Sequence, residues 1–480
     1  MNLTTNGIDI ARAIENAKKA LDEDGGISST SKATINLLIT IITLLVNRLG
    51  LNSSNSSKPP STDPKDKKKK KRKKSTKKPG GQKGHKGARL EPVDEPDEVI
   101  EIPIDRRTIP SGEYTEGESV KRQVFDIVIN KVVIEYQAQV LVDKDGNEFV
   151  AEFPAGVDQP TQYGPNIKAN VVYDSQGQLI PVERIAEDFA DNAGMPISTG
   201  FIHNCVKGAY DRLEKFEVAA KNALTASPTL NADETGINVN GKNIWLHGAS
   251  SNEWTLFMPH EKRGKEAMDE MGILPFYQGN LCHDHWKPYF SYGCDHSLCN
   301  AHHLRELERT YEQDGCKWAL EIQDLLLEIN KKKLDSNDTI SKYFQNKYRL
   351  QYREILANGE KETPPPDPPP KGKKGRQKKT KARNLLERLR DFESETLRFM
   401  TRPDIPFTNN LSERDIRMTK VQQKISGCFR SMDGAKYFSR IRSFISTVRK
   451  RGLSPAIALR DLFSGKLPDF IQENLPSAPE

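Results

Sequence analysis

Residues 7–51 keep a helical rhythm of apolar positions. Ile35, Leu38, Ile42, Leu45 and Leu49 fall alternately three and four apart, an a/d seam that lasts about two heptads. Such a seam suits a short coiled coil or a helix packed on its own domain. Thr40 and Thr43 interrupt the apolar run Ile35–Val46, so no stretch of ~18 apolar residues indicates a membrane span. Periodicity then stops until the rhythm becomes that of strands over 120–153. Phe125-Asp-Ile-Val-Ile and Val132-Val-Ile-Glu-Tyr are β-branched and aromatic, and Asp145-Gly146 predicts a hairpin turn. Residues 164–226 read as helices. Two of them, Pro181–Ala190 and Ser198–Tyr210, flank Gly194-Met-Pro196. The pair fits a DNA-contacting helix-turn-helix or a plain packing unit.

From Thr229 the pattern changes again. Strands are predicted at Thr229–Asn238, Asn243–Ala249, Glu253–Met258 and Gly279–Asp284, with a fifth near His296–Ala301. Helices are predicted at Lys262–Met271 and His302–Glu312, over 316–356, and at 384–400, 410–420, 433–451 and 454–463. Three strands followed by strands alternating with helices predict a mixed α/β sheet. The expected organisation is a multidomain α+β chain. It comprises an N-terminal helical segment (1–51), a basic linker (52–96), a strand-rich module (97–155) and a helical segment (156–227). An α/β region (228–303), a helical stretch (304–405) that holds a Pro/Lys-rich linker (358–383), a further helical region (406–466) and a tail (467–480) follow.

Charge sharpens this outline. The chain has 480 residues and a net charge of +7, but the positive charge is concentrated. Residues 58–89 hold 15 Lys/Arg against Asp63 and Asp66, and 371–383 hold eight against no acid. The remainder is net acidic. Basic segments of this kind bind polyanions, DNA or RNA above all, or serve as solvated linkers; the run Lys67, Lys68, Lys69, Lys70, Lys71, Arg72 is the densest. The first thirty residues mix charges with apolar residues and do not read as a signal peptide. Six scattered cysteines are not a secreted disulfide framework, so a reducing cytoplasm is expected.

Three acids stand at positions suited to phosphodiester chemistry. Asp233 lies in Leu230-Asn-Ala-Asp-Glu-Thr-Gly near a strand end, Asp284 in Leu281-Cys-His-Asp-His-Trp at another, and Glu413 in Thr408-Asn-Asn-Leu-Ser-Glu-Arg in the first turn of a helix. Carboxylates are hard oxygen ligands suited to Mg²⁺, and two ions about 4 Å apart activate an attacking oxygen and stabilise a leaving one. Taken singly, each acid also has a plain structural reading. Glu413 fits the reciprocal partner of an Asn410 cap. A rival cluster is Cys282, His283, His285, Cys294, His296, Cys299, His302 and His303, more than the four Cys/His ligands a structural zinc takes, though irregularly spaced.

The wording around the acids carries more. Leu51-Asn-Ser-Ser-Asn-Ser-Ser-Lys-Pro-Pro-Ser-Thr-Asp63, Pro79-Gly-Gly-Gln-Lys-Gly-His-Lys-Gly87, Tyr163-Gly-Pro, Ile180-Pro-Val-Glu-Arg-Ile, Ala232-Asp-Glu-Thr-Gly, Cys299-Asn-Ala-His-His-Leu-Arg-Glu-Leu307, Asn409-Asn-Leu-Ser-Glu-Arg-Asp-Ile-Arg417, Lys424-Ile-Ser-Gly-Cys-Phe-Arg430 and Gly452-Leu-Ser-Pro occur in this order. Together they resemble the bacterial insertion-sequence transposases of the insertion sequence sixty-six family. The resemblance implies a ribonuclease-H-like catalytic core made of 228–303 and 406–466, with 304–405 as a helical insertion, and an acidic triad of Asp233, Asp284 and Glu413 that holds two Mg²⁺ (or Mn²⁺). It implies metal-dependent cleavage at insertion-sequence ends followed by strand transfer to target DNA. It also implies a homo-oligomer on double-stranded DNA, working at the bacterial nucleoid and not at a membrane. Many relatives carry a cysteine-rich zinc module after the basic linker, whereas residues 86–204 here contain no cysteine. Arg414, Arg417, Lys420, Lys424 and Arg430 are expected to meet DNA phosphates, and Arg440, Arg442, Arg449, Lys450 and Arg451 to add to them; Arg417 also suits a salt bridge with Glu413. A transposase-derived DNA binder that no longer cuts, and a nuclease that does not join strands, are the alternatives.

Overall fold

The computed structural model describes residues 4–5, 8–24, 26–56, 90–366 and 378–476. The Lys67–Arg72 run lies outside the described residues. Two short strands, β1 (Thr4–Thr5) and β2 (Ile8–Asp9), pair ahead of α1 (Ile10–Glu23) and α2 (Ser29–Leu49). The helix expected over 7–51 is thus two. The break falls near Gly26, and Ser28 caps the second helix by accepting the Ser31 amide at 3.2 Å. Along α2 the hydroxyls of Thr40 and Thr43 donate to the carbonyls of Asn36 and Ile39, each at 2.7 Å. The threonines therefore do not interrupt the apolar helix, and α2 is long and apolar enough, by length and composition, to cross a membrane. Its seam stays uncovered, with Leu38, Ile42, Leu45 and Leu49 all exposed. After Gly50 the Asn52–Asn55 turn docks on the helical insertion, where Asn55 Nδ2 donates to Glu312 Oε2 at 2.9 Å.

Between 97 and 155 the expected strands are mostly absent. Pairing occurs only between β3 (Val140–Val142) and β4 (Glu148–Val150). Asp143 closes their turn by accepting the amides of Asp145 and Asn147 at 2.9 Å. Val124 and Ile127 are 91% and 85% exposed. A β-branched run becomes a strand only where a neighbouring strand takes its backbone bonds and a second layer covers its face, and this segment has neither.

The core starts with α3 (Pro165–Val172), α4 (Val182–Ala193), α5 (Thr199–Arg212) and α6 (Glu214–Thr225). Helix α5 buries Ile202, Cys205, Val206 and Ala209 in the main core. Then come β5 (Thr229–Val239), β6 (Lys242–Ser250) and β7 (Thr255–His260), joined as an antiparallel meander. The β5–β6 turn is Asn240-Gly241, with φ of 48° and 81°, the positive values a two-residue hairpin turn requires. After α7 (Lys265–Met271), β8 (Asn280–His283) pairs parallel to β5, and β9 (Asp295–Leu298) pairs parallel to β8. The sheet order is β7-β6-β5-β8-β9, a mixed sheet as expected, with β5 at its centre.

A helical insertion follows: α8 (Asn300–Arg309), α9 (Lys317–Asp335), α10 (Lys342–Glu362), α11 (Lys381–Asp391) and α12 (Glu393–Leu397). It has its own core, including Trp318, Ile322, Tyr352 and Leu386. The second linker is narrower than expected, because α10 runs to Glu362 and Arg383 of α11 pairs with Glu360 and Glu387; residues 367–377 lie outside the described part. The chain returns to the sheet as α13 (Asn410–Ser426) and α14 (Met432–Lys450), then ends in α15 (Pro455–Phe463) and α16 (Asp469–Gln472).

Candidate active site

Two acids come from neighbouring strands. The last aligned pair of β5 and β8 is Asn231 with Cys282. Asp233 and Asp284 each lie two residues further on, so they stand level at one edge of the parallel pair. Asp233 is not at its strand end as expected. It sits mid-strand, because β5 continues to Val239 along β6 after its pairing with β8 has stopped.

Glu413 arrives from 180 residues downstream of Asp233 through a fixed loop. The Asn300 amide donates to Phe407 O at 3.1 Å, and the Asn409 amide donates to Cys299 Sγ at 3.1 Å. Asn409 Nδ2 donates to Ala232 O at 2.7 Å, directly beside Asp233. Two residues past Glu413, Asp415 accepts from Ser250 Oγ at 2.9 Å, Thr255 Oγ1 at 3.2 Å and Lys450 Nζ at 2.7 Å. Helix α13 is therefore pinned to β5, β6, β7 and α14 around the turn that carries Glu413. The capping-box reading does not hold. Asn410 is already the first helical residue, and Glu413 Oε1 is buried with no hydrogen-bond partner.

The electrostatics are those of crowded anions. Burial, and then the neighbouring Glu234, Glu413 and Asp284, push the Asp233 carboxyl up to about 8. Glu234 is compensated: its side chain is 2% exposed and takes Arg263 at 2.7 Å and the Tyr289 hydroxyl at 2.6 Å. Arg263 is itself stacked between the rings of Trp245 and Trp286 at 4.6 and 4.4 Å. Glu413 has His302 at 3.8 Å and Arg305 at 4.0 Å, both from α8. Asp284 accepts the Trp286 amide at 2.9 Å. The donor set offered by Asp233, Asp284 and Glu413 is all carboxylate oxygen, and the orphaned Glu413 Oε1 and the raised Asp233 carboxyl both suit residues that would hold a hard cation.

Comparison with known sequences places the chain in a family. A family model described as Transposase IS66 family matches residues 160–437, more than half of the chain and all three acids. The chain belongs to the Transposase IS66 family. A second model, a family of unknown function (DUF6444), matches residues 11–91. The chain is also similar to the uncharacterized protein y4jO of Sinorhizobium fredii. The two are 40% identical over 70 residues, which is 15% of this chain and 22% of that protein.

In this IS66-family chain the other expected site residues divide. Arg414, Arg417, Lys420 and Lys424 line one exposed stripe of α13, and Arg430 is exposed just beyond it. Lys420 Nζ donates to Gly236 O, so it is partly committed to β5. Glu413 pairs with α8 while Arg417 points to solvent. Most of the basic residues named at and just after α14 are engaged by protein groups. Arg440 bonds Glu217 at 2.7 Å, Arg442 is buried on the carbonyls of Gln176 and Gly177, and Arg449 meets the Tyr173 hydroxyl at 3.1 Å. Lys450 is the partner of Asp415, and Arg451 pairs with Glu253 at 2.6 Å. Arg440, Arg442 and Lys450 face inward because α14 packs between the sheet and α3–α6, a placement that charge count alone does not reveal, whereas Arg449 stays exposed.

The Cys/His-rich stretch does not gather four ligands. Cys282 is buried within the sheet, His283 and His296 contact each other at 3.1 Å, and His303 bonds Asn300 at 3.0 Å. Sequence reasoning missed Asn409, Asp415 and the Arg263–Glu234–Tyr289 group. The one available signal was the doubled acid Asp233-Glu234, which requires a compensating cation.

Proposed function

We propose that this chain is a DNA transposase that cuts insertion-sequence ends and joins them to target DNA, with Asp233, Asp284 and Glu413 as ligands for two Mg²⁺ or Mn²⁺ ions. One observation carries the reading. Carboxylates from three separate elements, Asp233, Asp284 and Glu413, lie near enough to act on one another's charge, and burial together with that repulsion pushes Asp233 up to about 8. Such an arrangement is unfavourable unless cations are held there. The strand order, three antiparallel strands and then two parallel ones with acids on the adjoining pair, supports a ribonuclease-H-like core.

The ions, when bound, supply activation of the attacking oxygen and charge stabilisation at the leaving one. The chain's own residues do the rest. Asp233 and Asp284, level with each other beyond the parallel pair, would each offer a carboxylate to the ions. Glu413 closes the site from α13, whose register Asn409 and Asp415 fix. Arg414, Arg417, Lys424 and Arg430 hold backbone phosphates next to the acids and position the strand without reading its sequence. The uncovered seam of α2 supports pairing of two copies on DNA, and the Lys67–Arg72 run adds sequence-independent attraction. The work is done wherever the DNA is, in the bacterial cytoplasm.

Glu413→Gln tests the assignment. The side chain keeps its size and the fold is retained. Binding to end DNA stays near the starting level, while cleavage and strand joining both fall by orders of magnitude, since one site serves both steps. Cleavage at near the starting rate by a folded, DNA-binding Glu413→Gln protein would overturn the triad. Cleavage without joining by the unsubstituted protein would reduce the reading to a nuclease.

A further inference from the structure

Glu413 belongs to a second donor set. Among the described residues, Cys299, His302 and Glu413 each offer a ligand atom, and these atoms lie within 4.8 Å of one another. Cys299 stands just ahead of α8, His302 lies in its first turn, and Glu413 sits in the first turn of α13. A tetrahedral zinc with bonds of about 2.0–2.3 Å places its ligand atoms about 3.3–3.8 Å apart. His302 Nε2 and Glu413 Oε1 are 3.8 Å apart. Two polar atoms here are buried without any hydrogen-bond partner, His302 Nδ1 and Glu413 Oε1. Cys299 is 1% exposed, and its sulfur already accepts the Asn409 amide, an outer contact of the kind that steadies a thiolate ligand.

We propose that Cys299, His302 and Glu413 form a three-ligand site for a thiophilic divalent ion of the Zn²⁺ class, with the fourth position open. The donor chemistry separates it from the acid cluster. One sulfur, one imidazole and one carboxylate select zinc or cobalt over magnesium, whereas Asp233 and Asp284 offer oxygen alone. On binding, the Cys299 thiol gives its proton to solvent and the sulfur becomes the ligand. The ion clamps α8 to α13, and so joins the insertion's first helix to the element that carries Glu413. Because Glu413 belongs to both sets, a thiophilic ion also draws one carboxylate from the acid cluster. That consequence alone rests on the function proposed above.

The test uses the full chain without DNA or Mg²⁺, titrated with Co²⁺ and then competed with Zn²⁺. One equivalent of Co²⁺ is expected to give a thiolate-to-metal charge-transfer band that Zn²⁺ abolishes. Cys299→Ser and His302→Ala are each expected to remove the band and to weaken Zn²⁺ binding by at least about 10–100-fold, the loss that even an outer-shell change causes. Among the described residues the His302 ring makes no hydrogen bond to another side chain, so His302→Ala reads the site even if Cys299→Ser perturbs the Asn409 loop. No band in the unsubstituted protein, or a band that survives either substitution in a folded protein, overturns the proposal. Mg²⁺-dependent cleavage by a protein that shows no band leaves the transposase reading standing and removes this one; a band without any cleavage does the reverse.

Discussion

Asn409 donates its side-chain amide to the carbonyl of Ala232 at 2.7 Å, across 177 residues of sequence. The bond sets the start of α13 against the strand position immediately before Asp233. Asn409 is 2% exposed, so no water stands ready to replace the bond. Asn409→Ala is expected to destabilise the protein by about 1–3 kcal/mol, the cost of leaving a buried carbonyl unpaired. Cleavage should fall further than stability alone explains, because Glu413 loses its register against Asp233. Urea denaturation and cleavage at saturating DNA check the two effects; a variant with unchanged cleavage would mean that Asp415 suffices to place the helix.

Asp233 gives the metal-free protein a defined pH response. Its carboxyl is raised from 3.8 to about 8 by burial and by Glu234, Glu413 and Asp284. Below the unfolded value both states are protonated and the contribution to stability is complete. Between there and about 8 the folded state keeps a proton that the unfolded chain has released, so stability falls as pH rises through that window. Mg²⁺ must displace this proton, so the rise in Tm on adding Mg²⁺ should be larger at about pH 8 than at about pH 6. Melting curves with and without the ion at both pH values check it. Asp233→Asn should flatten the metal-free pH dependence and remove most of the Mg²⁺ effect.

The exposed stripe on α13 predicts a salt effect. Replacing Arg414, Arg417 and Lys424 together with Gln should reduce the slope of log binding constant against log salt by about 0.9 for each phosphate that is no longer neutralised. The fold should survive, since all three side chains are exposed. DNA titrations at several salt concentrations decide it, and an unchanged slope would place the DNA elsewhere.

Lys450 should behave differently although it carries the same charge. It is 11% exposed, bonded to Asp415 at 2.7 Å and to the carbonyls of Ser251 and Trp254. Lys450→Met leaves Asp415 largely buried beside only two hydroxyls. The expected loss is about 3–5 kcal/mol, as for breaking a buried pair from one side, read as a lower denaturant midpoint. A loss below about 1 kcal/mol would show that solvent still reaches the pair.

By itself the sequence determined most of the local elements and singled out the three acids proposed as ligands. The core strands, the Asp145-Gly146 turn, the helices after residue 300 and the phrases around Asp233, Asp284 and Glu413 were all legible, because periodicity and turn chemistry act over a few residues. What acts at long range was not legible. The β-branched segment at 120–153 has the rhythm of strands, yet it pairs only at Val140–Val142 with Glu148–Val150, since strands form only against partners. Arg440, Arg442 and Lys450 look like a DNA surface in one dimension and are interior ties in three, because packing of α14 against α3–α6 and the sheet turns them inward. Tertiary structure alone decided what surrounds Glu413, with Cys299 and His302 close by and Asp233 near enough to feel its charge. Their meeting depends on a loop bonded at Ala232 and Cys299, bonds made across more than a hundred residues that no spacing along the chain encodes.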